Sequence, residues 1–467
     1  MSKTKLHFPR LVLSAALAGL AAASGTSWAG SDITCETVVV GAGGAGMRTA
    51  IALKEAGRDV VVVEKMAFPG GATNLAASYM TVIGTKEQAK AGKTLSMDAY
   101  VARQLKNNPN MNEAHIREVR GASQETLDWI NSLGANITRA ISDYQVGTAD
   151  GGTLGAAIVK AMTKKMDAVG VVPRYNTRAV KLLGDKTRVT GIVVRDETDE
   201  YTINAKNVVL ATGGFAASKE LIARYAPQWK GLPSTSAAGS TGDAVGLAAP
   251  FDAALRFMDV VRMNPSVYVK DGKNISLSAA RAEGGIMVNS DGLRFCNDYH
   301  TDYTQLSRWM MQQKDGVAFI VIDDKAMQKS KRLQGFKAQG VFLEDATVEG
   351  LAGKMGVPAA NLKKTFETYG ASVRAGVDKE FGRKHNMSID FTTPPYYAAR
   401  TSPGIQVTLG GIGVNDDMQV VNTKGEVIEG LYAVGEVADD GLFGTGPTAI
   451  NIYYGEKVAD HIVSHGK

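Results

Sequence analysis

The stretch Val38-Val39-Val40-Gly41-Ala42-Gly43-Gly44-Ala45-Gly46-Met47 decides the fold, together with Glu64, which follows Val60-Val61-Val62-Val63 eighteen residues after Gly46. An apolar strand that feeds a glycine turn and then an Ala-rich helical stretch reads as the start of a dinucleotide-binding strand–helix–strand unit. Gly41 lets the chain turn sharply, Gly43 lets the backbone approach a pyrophosphate, and Gly46 lets the helix pack closely on the strand. The helix N-terminus offers free N–H groups to the anion. Glu64 stands where a carboxylate binds a ribose hydroxyl.

At 467 residues the chain is too long for one simple core, so two domains, or one domain with a large insertion, are expected. A net charge of +5 without a long Lys/Arg run gives no reason to expect nucleic acid. Only Cys35 and Cys296 are present, which argues against a disulfide framework or a Cys-based metal site; both read as small packing residues, and no metal is expected. The pattern Cys-x-x-Cys-His is absent, so the chain attaches no c-type haem of its own. Lys3, Lys5 and Arg10, the apolar run Leu11 to Ala23, and Ser27-Trp28-Ala29 read as a signal peptide over residues 1–29. That run is too short and too rich in Ala and Gly for a membrane anchor, no later segment reads as a span, and the expected location is the periplasm.

Past Glu64-Lys65, the run Gly70-Gly71-Ala72-Thr73-Asn74 makes a second backbone-lined loop. Met97 to Leu133 reads as amphipathic helices with Trp129 and Leu133 on a buried face. A strand-rich passage from Val171 through Val180 to Leu210 ends in Ala211-Thr212-Gly213-Gly214-Phe215, and Thr241-Gly242-Asp243 opens another helix. From about Phe257 the texture changes to mixed strands and helices with more charge and aromatics, through Pro394-Pro395-Tyr396-Tyr397, which reads as an inserted domain. Glycine-rich strand signals return at Thr408-Leu409-Gly410-Gly411 and at Gly430-Leu431-Tyr432-Ala433-Val434-Gly435-Glu436, and a last helix runs to His461.

These segments, with Val288-Asn289-Ser290-Asp291-Gly292-Leu293-Arg294-Phe295 and Asp378-Lys379-Glu380-Phe381-Gly382-Arg383, follow a familiar order. The chain resembles the flavoproteins of the fumarate reductase and succinate dehydrogenase type, above all the soluble periplasmic flavocytochrome c fumarate reductases, over nearly all of its mature length. The resemblance implies an α/β fold, with a Rossmann-like FAD-binding domain at 30–256 and 405–467 and an inserted α+β capping domain at 257–404. It implies FAD, held non-covalently by Gly41, Gly43, Gly44, Ala45, Gly46, Glu64, Lys65, Gly71, Ala72, Thr73, Val180, Ala211, Thr212, Gly213, Asp243, Gly435 and Glu436. A helix opening near Thr448, Ala449 and Ile450 would face the flavin pyrimidine, where its partial positive charge favours a reduced, anionic flavin.

The departures carry equal weight. Where fumarate reductases of this group have His-Pro-Thr, the chain has Asn264-Pro265-Ser266. Their Thr-Glu pair falls on Leu277-Ser278 ahead of Arg281, their proton-donating arginine on Asp302, and their His-Thr on Val407-Thr408. Their Arg-Leu-Gly-Gly-Asn is shortened to Gly444-Thr445-Gly446-Pro447-Thr448, with no arginine. A dicarboxylate needs cationic or hydrogen-bonding groups at both ends, so fumarate is not the expected substrate.

The candidates for acid or base are Tyr303, His300 and Asp302, with Tyr299 behind them; Asp302 has a plain alternative as a helix cap. Arg281 binds a substrate carboxylate or pairs with an acid such as Glu283, and Arg294 reads as bracing the cap on the FAD domain. Tyr396, Tyr397, Tyr453 and Tyr454 are pocket residues, as in flavoenzymes of 3-oxosteroids that the chain also resembles, or half-buried core. The expected protein is a respiratory, flavin-dependent oxidoreductase acting on CH-CH or C=C bonds. It reduces an enoate or α,β-unsaturated carbonyl with electrons from a separate c-type cytochrome. A dehydrogenase that passes electrons to an external acceptor and a non-catalytic FAD electron-transfer subunit are the alternatives, and the oligomeric state is not legible.

Overall fold

Valine runs with no polar alternation form strands covered on both faces, and two such runs frame the molecule. A computed structural model describes residues 32–76, 78–300, 302–444 and 446–465; the expected signal peptide lies outside them. Strand β1 is Ile33–Val40, helix α1 is Gly44–Glu55 and strand β2 is Val60–Val63. Helices Met97–Asn107, Glu113–Gly121 and Ser123–Ser132 follow, with Trp129 and Leu133 packed on the core. Strands Arg178–Gly184 (β3), Val189–Arg195 (β4) and Glu200–Leu210 (β5) then form a meander.

The chain next builds a second body. Its elements are β6 (Val261–Lys270), β7 (Lys273–Ser276), β8 (Ile286–Val288), α2 (Tyr303–Met311), β9 (Ala318–Asp323), β10 (Leu343–Asp345) and β11 (Tyr396–Thr408). It returns through β12 (Gln419–Val421) and β13 (Val427–Ala433) and closes with α3 (Pro447–His465).

The first sheet has seven strands in the order β12-β13-β5-β1-β2, with β4 beside β5 and β3 beside β4. Strands β13, β5, β1 and β2 are parallel, and their register places Val40 opposite Val63 and Leu210, and Leu210 opposite Ala433. All four therefore run out at one level. Gly41, Glu64, Ala211 and Val434 emerge there side by side, which is where a parallel sheet holds a ligand. Val38, Val39, Val208 and Val209 are fully buried, each contributing about 1.5–3 kcal/mol. Helix α1 lies along α3, the Thr49 hydroxyl donating to the Gly455 carbonyl at 2.9 Å.

The second sheet has six antiparallel strands, β7-β6-β11-β9-β8 with β10 on β11. It encloses its own apolar core, from Leu277 to Ala399. Strand β11 runs from that core back to the first body, where the Thr408 hydroxyl accepts from the Phe215 N–H at 3.2 Å. Among the described residues no helix is long and apolar enough to cross a membrane.

Candidate active site

One cavity opens at the carboxyl ends of the parallel strands. Its walls carry Gly41, Gly43, Gly44, Ala45, Glu64, Lys65, Gly71, Ala72, Thr73, Ala211, Thr212, Gly213, Asp243, Gly435 and Glu436. The three motif glycines answer to different neighbours. A Cβ on Gly41, whose φ is +111°, would overlap the Ala211 carbonyl, and one on Gly46 would overlap the Gly41 carbonyl. A Cβ on Gly43 would meet nothing within 4 Å, and its φ of −75° suits any residue. Protein packing thus dictates Gly41 and Gly46, while Gly43 leaves open the space that a pyrophosphate takes. Phe68 and Leu75, 58% and 53% exposed, supply an apolar wall that only a ligand would cover. A dinucleotide therefore fits the residues present.

Polar groups at the rim are already oriented. The Glu64 carboxylate accepts from Ala42 N–H and Met66 N–H, both at 2.8 Å, leaving acceptor capacity on each oxygen. Lys65 donates to Thr241 at 2.6 Å and to Asp243 at 3.0 Å, and Arg178 grips Asp243 through two nitrogens. Burial pushes the Asp243 carboxyl up, but bonds from Thr241 and Lys65 and the charge of Arg178 outweigh it, and the group lies below its ordinary value. Val180 faces a more open depression beside Arg178 and Arg195, and Ala179 takes the place on the cavity wall. Thr448, Ala449 and Ile450 are buried in the first turn of α3 and lie off that wall. Ser236 to Ser240 and Asn451 join the wall without any motif having announced them.

The cap candidates separate into two groups. Asp302 is the N-cap of α2, its carboxylate accepting from Thr304 N–H and Gln305 N–H at 2.9 and 3.0 Å. His300 turns back on the same corner, its Nδ1 accepting from Asp302 N–H at 3.2 Å and its ring meeting Trp309 edge-on. Tyr303 and Arg281 instead come together, the guanidinium lying 4.6 Å from the centre of the phenol ring. Arg281 is 1% exposed; its Nε donates to Ser266 Oγ at 2.7 Å, its Nη1 to the Asp298 carbonyl at 3.1 Å, and its Nη2 has no partner among the described residues. Glu283 takes no part in holding it.

Arg294 does not brace the cap on the FAD domain. It binds Asp298, Asp378 and Glu380, all in the cap, because those carboxylates converge on it inside the second body. Tyr396 and Tyr397 are tied to Phe391 and Asp324 in the cap core, Tyr453 donates to Glu118, and the buried Tyr454 hydroxyl has no partner among the described residues. Cys35 and Cys296 are both free and buried.

Two residues of this junction escaped the sequence reading. Arg262, on β6, donates to the Gly444 carbonyl at 3.1 Å and the Phe443 carbonyl at 3.4 Å, across the gap between cap and first body. Burial draws its guanidinium below the ordinary value, and the charges of Tyr79, Asp302 and Tyr303 oppose that shift. Tyr79 is 46% exposed, yet enough protein stands around it that burial, followed by Tyr303 and Tyr144, raises its phenol. A lone arginine in an apolar strand has no spacing that announces it.

Comparison with known proteins agrees with this arrangement. The FAD binding domain family matches residues 36–449. A probable fumarate reductase of Shewanella frigidimarina is 33% identical over 444 residues, spanning 93% of this chain and 74% of its own. A urocanate reductase of Eggerthella lenta is 26% identical over 427 residues, spanning 86% and 70%. The open conformation of a flavocytochrome c3 fumarate reductase superposes with a TM-score of 0.81 at 32% identity, over 93% of this chain and 78% of that one. The chain belongs to the FAD binding domain family and is an FAD-dependent oxidoreductase of the fumarate reductase type.

Proposed function

We propose that the protein is a periplasmic reductase of an activated C=C bond, in an enoate or α,β-unsaturated carbonyl other than fumarate, that holds FAD non-covalently and draws electrons from a separate c-type cytochrome. Reduced FAD supplies the hydride that such a bond accepts at its β-carbon. Gly41, Gly43 and the first turn of α1 hold the pyrophosphate, Glu64 the ribose, and Lys65 and Asp243 the far end of the cavity. Tyr303 gives its hydroxyl proton to the α-carbon, so that one hydride and one proton complete the single bond. Arg281 orients the ring and sets positive charge against the phenolate that remains. Ser266 and Asp298 fix Arg281 in turn, and Tyr303 is reprotonated from solvent.

The observation that carries this reading is the pairing of Tyr303 with Arg281 at 4.6 Å, beside a second cation, Arg262. His300 Nδ1 and the Asp302 carboxylate are engaged at the helix corner, which favours Tyr303 as the acid. The test is anaerobic: holoprotein reduced with dithionite is mixed with a panel of enoates, enones and fumarate, and flavin reoxidation is followed at its absorbance maximum. Fast reoxidation by an enoate with slow or absent reoxidation by fumarate is the expected result. Reoxidation by none of the panel, or bleaching of oxidised protein by the saturated analogues, would overturn it in favour of carriage or dehydrogenation.

A further inference from the structure

Arg262 carries a charge that its surroundings do not neutralise. It sits half-buried on β6 opposite Val407 of β11, beside a bulge in β11 at Gln406, where the pairing steps from Arg262–Val407 to Met263–Ile405. Its protein partners are the two carbonyls of Phe443 and Gly444, one of them at 3.4 Å. No carboxylate among the described residues comes within the 4.0 Å of an ion pair. Asp302, whose charge acts on it, is exposed and committed to capping α2. A guanidinium has five N–H donors, so most of its capacity is open. Withdrawing a cation from water without a counter-ion is unfavourable, and a bound anion offsets that cost.

The groups around that cation are phenols. Tyr79 and Tyr303 lie near enough for their charges to act on it, as Tyr144 and Tyr299 do on Tyr79, and the helix that carries Tyr303 is tied to β6 where the Met263 N–H donates to the Thr304 hydroxyl at 3.4 Å. Such rings give flat apolar faces with hydroxyl edges; a phenol O–H can donate one hydrogen bond to a carboxylate, but it brings no positive charge to a second one. The other cation, Arg281, is sealed at 1% exposure against the Tyr303 ring and is out of reach unless Tyr303 moves.

We infer that Arg262 is the single carboxylate anchor of the substrate site, and that the site takes monocarboxylates with a flat apolar or aromatic body in place of dicarboxylates. The substrate class rests on the reading of the protein as an enoate reductase, but the anchor is open to a test without turnover. Oxidised holoprotein is titrated with 3-phenylpropanoate, its methyl ester and succinate, with calorimetry and the flavin difference spectrum as readouts. Wild type should bind 3-phenylpropanoate more tightly than succinate. Arg262→Gln should weaken the acid roughly 10- to 100-fold and leave the ester unchanged, the size expected for a lost charged hydrogen-bond pair. Arg262→Lys, which keeps the charge without the two-pronged geometry, should lose several-fold for the acid alone; it serves as the probe if the Gln variant sheds FAD. Equal losses for acid and ester, unchanged acid binding in either variant, preference for succinate, or no binding of the acid by wild type would each overturn the assignment. Because these ligands are already saturated, failure to reduce any enoate would refute the proposed reaction and leave this result standing.

Discussion

The floor of the cavity and the cap junction are built on opposite principles. At the floor, backbone geometry decides identity: Gly41 and Gly46 are required by carbonyls that any Cβ would strike, whatever the ligand does. At the junction, side chains decide: Arg262, Tyr303 and Arg281 come from β6, α2 and a short helix between them, and no backbone constraint demands any of the three. A cofactor common to many reactions can be held by a motif. A particular substrate is held by whatever the cap presents, and these few side chains change while the fold persists.

The sharpest way to break this contrast is Gly46→Ala. The added methyl would lie on the Gly41 carbonyl and close to the Ala211 side chain, between helix and strand, where neither backbone has room to yield. A loss of more than about 4 kcal/mol is expected, seen as little soluble protein or a collapse in thermal midpoint. A variant with wild-type melting and full FAD content would show that the helix is less tightly seated than described. Gly43→Ala is its foil: the apoprotein should melt as wild type does, while FAD affinity falls.

Tyr303→Phe tests the other region. It keeps the ring under Arg281 and removes only the proton, so FAD content and melting should hold while kcat with an enoate falls by roughly 10²- to 10⁴-fold. Retained kcat would move the acid elsewhere, and a fall in kcat/KM carried by KM alone would make Tyr303 a binding group.

Glu436 joins the two regions. Its carboxylate accepts from Thr408 N–H at 3.1 Å and from the Thr408 hydroxyl at 3.3 Å, at the point where β11 re-enters the first body. Burial pushes it from 4.5 up to about 7, and the bonds from Thr408 and Gly214 only partly oppose that. A carboxyl raised on folding contributes stability at low pH that is lost as pH rises from about 4.5 through 7. Glu436→Gln lacks this loss, so wild type should weaken relative to the variant across that window by on the order of 3 kcal/mol. Parallel pH profiles of the two melting curves would count against the burial described.

These expectations also mark how far the sequence could be read. The continuous valine runs beside Gly41 and Glu64 and the glycine spacing between them are local and steric in origin, so strand, turn and helix were legible, and FAD followed from the resemblance of the later segments. The cap was legible as a texture change near Phe257 and as missing family residues. Arg262 was not, because its partners Phe443 and Gly444 lie some 180 positions away, and a lone arginine in a strand has no spacing signature. Val180 lines a depression that shares Arg178, Ala179, Asp243 and Leu247 with the cavity. Arg294 was assigned to the wrong boundary because its three carboxylates, Asp298, Asp378 and Glu380, converge only in the folded cap.

The smallest expected effect separates a cap from an acid at the same residue. Asp302 accepts the N–H groups of Thr304 and Gln305, a task that asparagine performs about as well. Asp302→Asn should therefore melt within a few tenths of a kcal/mol of wild type, while Asp302→Ala loses about 1 kcal/mol. If Asp302 only caps α2, turnover follows the fold, and the Asn variant stays within about threefold of wild type. Its lost negative charge no longer opposes an anion at Arg262, so a carboxylate substrate should show a modestly lower KM that added salt erases. Were Asp302 the proton donor, kcat of the Asn variant would fall by roughly 10²- to 10⁴-fold although its helix is intact. That outcome would return the acid to the helix corner and leave Tyr303 as a wall of the site.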